Sequence, residues 1–302
     1  MDACPVCCSL RFTLSFEAAG HRFERCATCR FVRMADPLAP TELDGYYRDE
    51  RGHAEGAYQE HDKNLGRFDE MLQRLERHCR PGRLLDIGCS IGTSLIMAGK
   101  RGWKATGIEV SRPAAEFGAK DWGLDIRCCY LADAGLEPAS FDAILMNHTL
   151  EHVADPDEMV ADASRLLRPG GVMYQSVPNF DSLKSRLLGR HWSYGVHSSH
   201  LSMFGKRTLS HMLRRLGLEV VQTYTASYAK DPRLLHDFLL RLNLGRVLNR
   251  WCNSEPATPE TYVRFLAENR WAFWVCNHLW PERTMTALGL GEDLHVIARS
   301  VT

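Results

Sequence analysis

Two glycines and two acidic residues have the types and spacing needed to bind a nucleoside-containing cofactor. Asp86-Ile-Gly88-Cys89-Ser-Ile-Gly92 directly follows a short apolar run, and Glu109 ends the next apolar run. Glycine is favoured where a strand turns tightly into a helix and where a ligand approaches the backbone closely. A carboxylate at the tip of the second strand can accept hydrogen bonds from both hydroxyls of a ribose. The pattern therefore predicts a nucleoside pocket.

The acidic residue at the head of this segment argues against a dinucleotide. Dinucleotide sites use the spacing G-x-G-x-x-G and rest a pyrophosphate on the N-terminus of the following helix. Here the spacing is D-x-G-x-x-x-G. The Asp86 carboxylate would repel a pyrophosphate, so we expect a cationic ligand.

Four of the eleven cysteines form two pairs, Cys4-x-x-Cys7 and Cys26-x-x-Cys29. Cytosolic chains keep thiols reduced and group cysteines to bind metals, and two such pairs can present four thiolates tetrahedrally to Zn²⁺. The segment between the pairs alternates apolar and polar residues, as a strand does. We therefore predict a zinc ribbon over 1–36. Its role should be structural because four cysteines leave no open coordination position; a ribbon that reads nucleic acid is the alternative.

The glycine segment resembles motif I of the class I S-adenosylmethionine-dependent methyltransferases. Ser90 stands where these enzymes commonly have a glycine, and this small residue should leave the pocket intact. Four later segments are similar to the family's motifs and follow in the family's order. They are Ser-Phe-Asp-Ala-Ile-Leu at 140–145, Leu-Glu-His-Val-Ala-Asp-Pro at 150–156, Leu-Leu-Arg-Pro-Gly-Gly at 166–171 and Val-Pro-Asn at 177–179. The resemblance covers roughly residues 80 to 220 and implies S-adenosylmethionine as the cofactor.

The resemblance also implies which residues contact that cofactor. Leu131 and Ala132 follow the third strand, where they should pack against the adenine. The complete predicted set is Asp86, Gly88, Cys89, Gly92, Glu109, Val110, Leu131, Ala132, Asn147 and His148.

Histidines are the candidate catalytic residues, because a side chain with a pKa near neutrality can deprotonate an acceptor hydroxyl or amine. By resemblance, His148 and His152 lie beside the methionine end of the cofactor, and His200 follows a segment that covers the acceptor. A structural role for His152 and loop hydrogen bonding by His200 are the alternatives. His148-Thr-Leu-Glu151-His152 with His200 also resembles the metal-binding Glu-x-x-Glu-His plus His of small-RNA 2′-O-methyltransferases. His148 replaces a carboxylate there, which disfavours magnesium and favours softer metals.

Strands and helices alternate after residue 81, as in a doubly wound α/β sheet. The expected fold is a Rossmann-like methyltransferase with a seven-stranded, mostly parallel sheet, an N-terminal zinc ribbon and a C-terminal helical insertion. Ligands of such sheets bind at the carboxyl ends of the strands, where the predicted residues would converge. The predicted units are the ribbon at 1–36, a linker and helix at 37–80, the core at 81–227, the aromatic-rich insertion at 228–290 and a final strand at 291–302.

The composition limits the classes of partner that the protein is expected to bind. The 302 residues, 45% of them apolar, can bury one large core, and the formal charge is zero with a pI near 7.2. Without a basic field, non-specific binding to nucleic acid is disfavoured. The N-terminus lacks a signal pattern, and no apolar run approaches the roughly 18 residues of a membrane span. We therefore expect a cytoplasmic protein, with the insertion as a lid, an acceptor cover or a homodimer surface.

The predicted function is methyl transfer from S-adenosylmethionine to a small-molecule acceptor, such as a sugar or another secondary metabolite, with a histidine base. The ribbon followed by the methyltransferase segments resembles a bacterial subgroup associated with such pathways. One alternative is an RNA methyltransferase that uses the ribbon to bind RNA. The other is a scaffold that binds S-adenosylmethionine without catalysis.

Overall fold

The described part of the chain begins with an antiparallel hairpin and a third short strand. In this computed structural model it comprises residues 3–37, 45, 51–227, 241–242 and 282–301. The first strands are β1 (Phe12–Ala18), β2 (His21–Cys26) and β3 (Val32–Met34). The two cysteine pairs flank this hairpin, because Cys4 and Cys7 precede β1 while Cys26 ends β2 and Cys29 follows it.

Helices and strands then alternate along the chain. In order they are α1 (Arg51–Gln59), α2 (His61–Leu75), β4 (Arg83–Ile87), α3 (Thr93–Lys100), β5 (Lys104–Glu109), α4 (Arg112–Asp121), β6 (Ile126–Cys128), β7 (Phe141–Asn147), α5 (Pro156–Leu166), β8 (Leu167–Pro178), α6 (Leu183–Leu188), β9 (Ser202–Met203), α7 (Lys206–Arg215), β10 (Leu218–Ala226), α8 (Glu282–Ala287) and β11 (Asp293–Ser300).

Seven of these strands form one twisted sheet in the order β10-β11-β8-β7-β4-β5-β6. The pairs from β8 to β6 are parallel, whereas β11 is antiparallel to both β8 and β10. Strand order reverses between β4 and β7, and the crevice at the carboxyl ends of these strands is where doubly wound sheets bind ligands. The predicted fold class, a seven-stranded and mostly parallel sheet, is confirmed.

The sheet is buried on both faces because its strands place successive side chains on opposite sides. Leu84 of β4 packs on one side with Met71 and Leu75 of α2. Leu85, the next residue, packs on the other side with the cluster that includes Val160 of α5. Two-sided burial explains why the central strands are almost continuously apolar.

The N-terminal strands do not form a separate sheet of their own. β3 pairs antiparallel with β9, a two-residue strand that lies between the core elements α6 and α7. The resulting four-stranded sheet has the order β1-β2-β3-β9. One strand of the N-terminal unit is therefore supplied by the core.

Other predictions concern parts of the chain outside this description. Residues 228–290, predicted as a helical insertion, lie largely outside the described residues. Only 241–242 and 282–290 are described in this range, and 282–287 form α8. Within the predicted linker and helix at 37–80, residues 38–44 and 46–50 also lie outside the described residues. Among the described helices none is both long and apolar enough to cross a bilayer.

Candidate active site

A cavity of about 1130 Å³ opens at the carboxyl ends of β4, β5 and β7. Its wall is completed by α1 and α2 and by the segment from Val153 to Asp162. Small-molecule sites commonly measure about 300–1,000 Å³, so the space suffices for a nucleoside cofactor with an acceptor beside it. Ten predicted site residues line it: Asp86, Gly88, Cys89, Glu109, Val110, Leu131, Ala132, Asn147, His148 and His152.

The two glycines of the turn after β4 do different jobs. Both have left-handed backbones, with φ of 76° at Gly88 and 85° at Gly92. A Cβ at Gly88 would lie 2.5 Å from the Thr149 hydroxyl, at the cavity wall. Gly92 is the N-cap of α3, its Cβ would lie 2.5 Å from a methyl of Leu124, and it is not among the described residues that line the cavity. Gly92 therefore shapes the turn rather than the pocket wall.

Asp86 lies in the buried part of β4, and one of its carboxylate oxygens has no hydrogen-bond partner among the described residues. The side chain is 2% exposed, and Ser94 Oγ donates a hydrogen bond to Oδ2. Oδ1 is buried without a hydrogen-bond partner among the described residues. Burial raises the pKa of Asp86 to about 7, and the Ser94 bond only partly offsets this. A buried acceptor of this kind requires a donor, and a ligand cation meets that requirement.

Glu109 is held rigidly at the end of β5. Its Oε2 accepts a hydrogen bond of 2.8 Å from the Ser90 amide, and its Oε1 accepts one of 2.7 Å from the Ser111 amide. Each oxygen keeps a second lone pair, so the carboxylate can still accept two ligand hydroxyls. Ser90 reaches Glu109 with a left-handed backbone at φ 51°, a conformation that favours glycine.

The adenine side predicted by resemblance is built from a short 3₁₀ turn. Leu131 and Ala132 lie in the turn Leu131–Asp133, and both line the cavity together with Val110. Asn147 ends β7, where its Oδ1 accepts a hydrogen bond of 2.7 Å from Ser176 Oγ. Apolar and amide groups thus meet at the same mouth as Glu109.

His148 lies between two buried carboxylates. Its Nδ1 is 3.1 Å from Glu151 Oε1, and its Nε2 is 3.3 Å from Asp293 Oδ1. Burial opposes its protonation, but Asp293 and Glu151 outweigh burial and raise the pKa of His148 to about 9. Arg67 Nη2 lies 2.8 Å from the same Nε2 and 3.9 Å from Asp293 Oδ2. Arg67 can donate a hydrogen bond to Nε2 only if the His148 ring is neutral. The two ionised carboxylates instead favour the protonated ring.

Glu151, His152 and His200 come together beside this network, with one ligand atom from each lying within 4.8 Å of the others. His152 Nδ1 is 2.9 Å from the Ser199 carbonyl, and His200 Nδ1 is 3.1 Å from the Gly195 carbonyl. A carbonyl oxygen only accepts, so each ring donates from Nδ1. Burial lowers the pKa of His200 to about 3, so that ring is neutral. His200 is not among the described cavity-lining residues, whereas His152 is.

Glu151 supplies the charge of this group. Despite burial, contacts with His148 and the neighbouring histidines lower its pKa to about 2, so it is ionised. Its Oε2 is buried with no hydrogen-bond partner in the part of the chain that the structure describes. The cluster thus combines an ionised carboxylate with two imidazoles whose Nδ1 atoms donate to backbone carbonyls.

The four predicted metal-binding cysteines also converge, within 4.8 Å of one another. The sulfurs of Cys4 and Cys29 are 3.5 Å apart, and those of Cys7 and Cys26 are 3.6 Å apart. Tetrahedral Zn²⁺ with Zn–S bonds of about 2.3 Å separates its sulfurs by about 3.8 Å. Burial opposes ionisation of Cys26, but backbone amides of Cys29 and Thr28 and neighbouring thiols outweigh it and lower its pKa to about 6.

Sequence reasoning missed Arg67 and Asp293. Arg67 lies on the apolar-patterned helix α2, and nothing in its spacing distinguishes it from a surface residue. Asp293 pairs with Pro178, since β11 runs antiparallel to β8 and starts where β8 ends. The antiparallel orientation of the final strand was the available signal, because it brings the first residue of that strand to the mouth.

Comparisons with known proteins agree with this geometry. A family described as "Methyltransferase domain" matches residues 58–223. The ubiquinone biosynthesis O-methyltransferase of Chromobacterium violaceum is 33% identical over 116 residues, 36% of this chain and 50% of that protein. A probable S-adenosylmethionine-dependent methyltransferase of Mycolicibacterium smegmatis is 28% identical over 158 residues, 52% of this chain and 60% of that protein. The chain thus spans about half the length of these curated relatives.

Solved structures show the same fold. A SAM-dependent methyltransferase of Thermotoga maritima superposes with a TM-score of 0.52 at 16% identity, over 82% of this chain and 94% of that one. One from Archaeoglobus fulgidus gives 0.50 at 14% identity, over 78% and 94%. At such identities the likeness concerns the fold alone.

Proposed function

Because the chain belongs to the methyltransferase-domain family, and so to the S-adenosylmethionine-dependent methyltransferases, we propose that it transfers the methyl group to a small molecule. The observation that carries this proposal is the meeting, in one cavity, of the unused Asp86 oxygen, the Glu109 carboxylate and the His152 ring. The names of the ubiquinone-pathway relatives favour a hydroxyl acceptor. A hydroxylated ring, a sugar or another secondary metabolite is the proposed substrate class.

The residues present fit S-adenosylmethionine. Asp86 offers a buried anionic oxygen to the cationic methionine end. Glu109 is braced by two backbone amides so that its remaining lone pairs can accept the ribose hydroxyls. Leu131 and Ala132 supply the apolar side of the adenine site. The cofactor provides the electrophilic methyl group, and the chain contributes orientation and exclusion of water.

We assign proton acceptance to His152. Its Nδ1 is committed to the Ser199 carbonyl, so Nε2 can take the proton of an acceptor hydroxyl. His148 is less suited to that role because two carboxylates keep it protonated; it contributes a fixed positive charge instead. His200 is neutral and buried and is not among the described residues that line the cavity, so we assign it the role of orienting Glu151 and His152. Positioning and general-base catalysis together contribute several kcal/mol in such reactions.

A divalent cation held by Glu151, His152 and His200 is the second candidate arrangement. Both imidazoles donate from Nδ1 to backbone carbonyls, which is how ligand histidines are commonly oriented, and Glu151 Oε2 is unused. A cation bound there would lower the pKa of a coordinated acceptor hydroxyl. Two nitrogen ligands favour zinc or manganese over magnesium.

The ribbon cysteines are proposed to hold a structural Zn²⁺. Four thiols within 4.8 Å match a closed tetrahedral site, and so small a unit has little core without a metal. Zinc content measured on the purified chain tests this proposal, with one ion per chain expected.

Methyl transfer from labelled S-adenosylmethionine to a panel of catechols, sugars and short RNAs tests the proposed function. We expect transfer to a small hydroxylated compound and a loss of about 10²-fold or more in kcat for His152→Gln. His211→Gln, on the exposed face of α7, is the matched control and should retain activity. Transfer only to RNA would overturn the small-molecule proposal. Cofactor binding without transfer to any acceptor would indicate a scaffold.

Chelation separates the two roles of His152. After dialysis against a chelator that leaves the ribbon zinc in place, unchanged turnover assigns His152 as the proton acceptor. Turnover that is lost and then restored by Mn²⁺ or Zn²⁺ assigns it as a metal ligand.

A further inference from the structure

We propose that the four-cysteine unit positions the acceptor side of the cavity, through contacts of β2 and β3 with the histidine loop, which we define as residues 192–201. The inference deepens the proposed function and rests on it for the identity of the acceptor side. It assigns Phe23 as a positioning residue, distant from the reacting atoms.

Backbone hydrogen bonds link the unit directly to the histidine cluster. The Met34 amide, at the end of β3, donates to the Leu201 carbonyl at 2.9 Å. The Leu201 amide donates in turn to the Glu151 carbonyl at 2.8 Å. Leu201 directly follows His200 in the chain. These two hydrogen bonds therefore connect the N-terminal sheet to the backbone beside His200 and to that of Glu151.

Apolar packing fixes the same loop from one side. Phe23 is fully buried and stacks on Phe16, with ring centroids 4.9 Å apart. The cluster that contains it includes Phe23, Val32 and Met34 of the N-terminal sheet and Trp192, Val196 and Leu201 of the loop. A Cβ at Gly195 would lie 2.1 Å from the Trp192 ring, so the loop closes tightly around this tryptophan.

The loop carries acceptor-side groups into the cavity. Tyr194 and Ser199 line the cavity. The carbonyls of Ser199 and Gly195 accept hydrogen bonds from His152 and His200, which fixes the tautomer of each ring. A displaced loop would therefore break the hydrogen bond that orients the His152 ring.

The cofactor side takes its support from other elements. Glu109 is braced by the amides of Ser90 and Ser111, and Asp86 is bound by Ser94, all between β4 and α4. Loosening the N-terminal sheet should therefore impair acceptor use while sparing cofactor affinity. That split would not follow from a general loss of stability.

The test compares Phe23→Ala with Leu14→Ala in the full chain. Leu14 lies on the same hairpin with 63% of its surface exposed, so it controls for truncation of an apolar side chain. For Phe23→Ala we expect exchange of the Leu201 and Met34 amides to accelerate at least about tenfold, with β8 amides such as Val177 still protected. The dissociation constant for S-adenosylmethionine should stay within about twofold, while kcat/KM for the acceptor falls about tenfold or more. Leu14→Ala should match the wild type in all three measurements.

Alternative outcomes are informative as well. If Phe23→Ala does not fold, Phe23→Leu replaces it, with the same pattern expected at smaller amplitude. Unchanged exchange at Leu201 in a folded variant, or cofactor affinity falling in parallel with acceptor use, would overturn the positioning role. If the wild type methylates no acceptor, the proposed function fails, while the exchange and cofactor-binding measurements still decide whether the sheet holds the loop.

Discussion

Asp86 should make cofactor affinity depend on pH. The carboxyl is buried, with a pKa raised to about 7 and one oxygen lacking a partner among the described residues. Only its ionised form attracts a cation, so affinity should rise as pH increases through 7. Asp86→Asn keeps the shape and removes the titration.

The size of the effect follows from that pKa. With a pKa of about 7, roughly one molecule in eleven is ionised at pH 6 and ten in eleven at pH 8, a difference of about tenfold. His148 stays protonated and Glu151 stays ionised over this range. Two other groups also titrate in this range: Asp155, with a pKa raised to about 6, and the amino group of the ligand. The substitution Asp86→Asn leaves both of these groups in place. The fold-change in the dissociation constant of the wild type between pH 8 and 6, divided by that of the variant, therefore isolates the contribution of Asp86.

Titration calorimetry at pH 6, 7 and 8, at constant ionic strength, measures this ratio. We expect the dissociation constant of the wild type to rise about tenfold more than that of Asp86→Asn between pH 8 and 6. Because burial raises the pKa of Asp86 from 3.8 to about 7, the ligand-free wild type should lose stability relative to the variant as pH rises from about 4 to about 7, with no further loss above that. Identical pH dependence in the two proteins would refute the placement of Asp86 against the cation.

Three further substitutions test other parts of the site. Ser90→Gly relieves a left-handed residue, so we expect up to about 1 kcal/mol of added stability in thermal unfolding with cofactor binding retained; a lower melting temperature would contradict the strain. Glu109→Ala removes the ribose acceptor and leaves two amides unsatisfied, so calorimetry should show cofactor affinity reduced at least about tenfold, and unchanged affinity would disprove this pocket. Cys26→Ser should abolish stoichiometric zinc in metal analysis and lower the melting temperature, whereas full retention of zinc would argue against the four-thiolate site.

The sheet was predictable because its signals are local. Strand, tight turn and helix follow one another within a few residues around Gly88, and the same sequence of elements recurs at Glu109. The residues expected at these strand ends line the cavity, apart from Gly92, which caps α3. A glycine required by a turn cannot be distinguished in the sequence from one required by a ligand. The structure distinguishes them, because a Cβ at Gly88 would contact Thr149 at the cavity wall, whereas one at Gly92 would contact Leu124.

The histidine cluster was only partly predictable, because its chemistry depends on distant partners. The sequence indicates His148, His152 and His200 but not their protonation states. Asp293 reaches His148 through the antiparallel pairing of β11 with β8, and Arg67 reaches it from α2. Asp293 and Glu151 keep His148 protonated, which favours His152 as the proposed base.

The two halves of the cavity thus differ in how they are built. The proposed cofactor half is assembled from consecutive elements between β4 and α4, whose hydrogen bonds join residues close in the chain. The proposed acceptor half joins β11, α2, the histidine loop and, through Met34, the N-terminal sheet. Ordering such separated segments costs conformational entropy that only mutual packing can offset. Substitutions far from the cavity should therefore alter acceptor use more readily than cofactor binding, and Phe23 provides the most direct example.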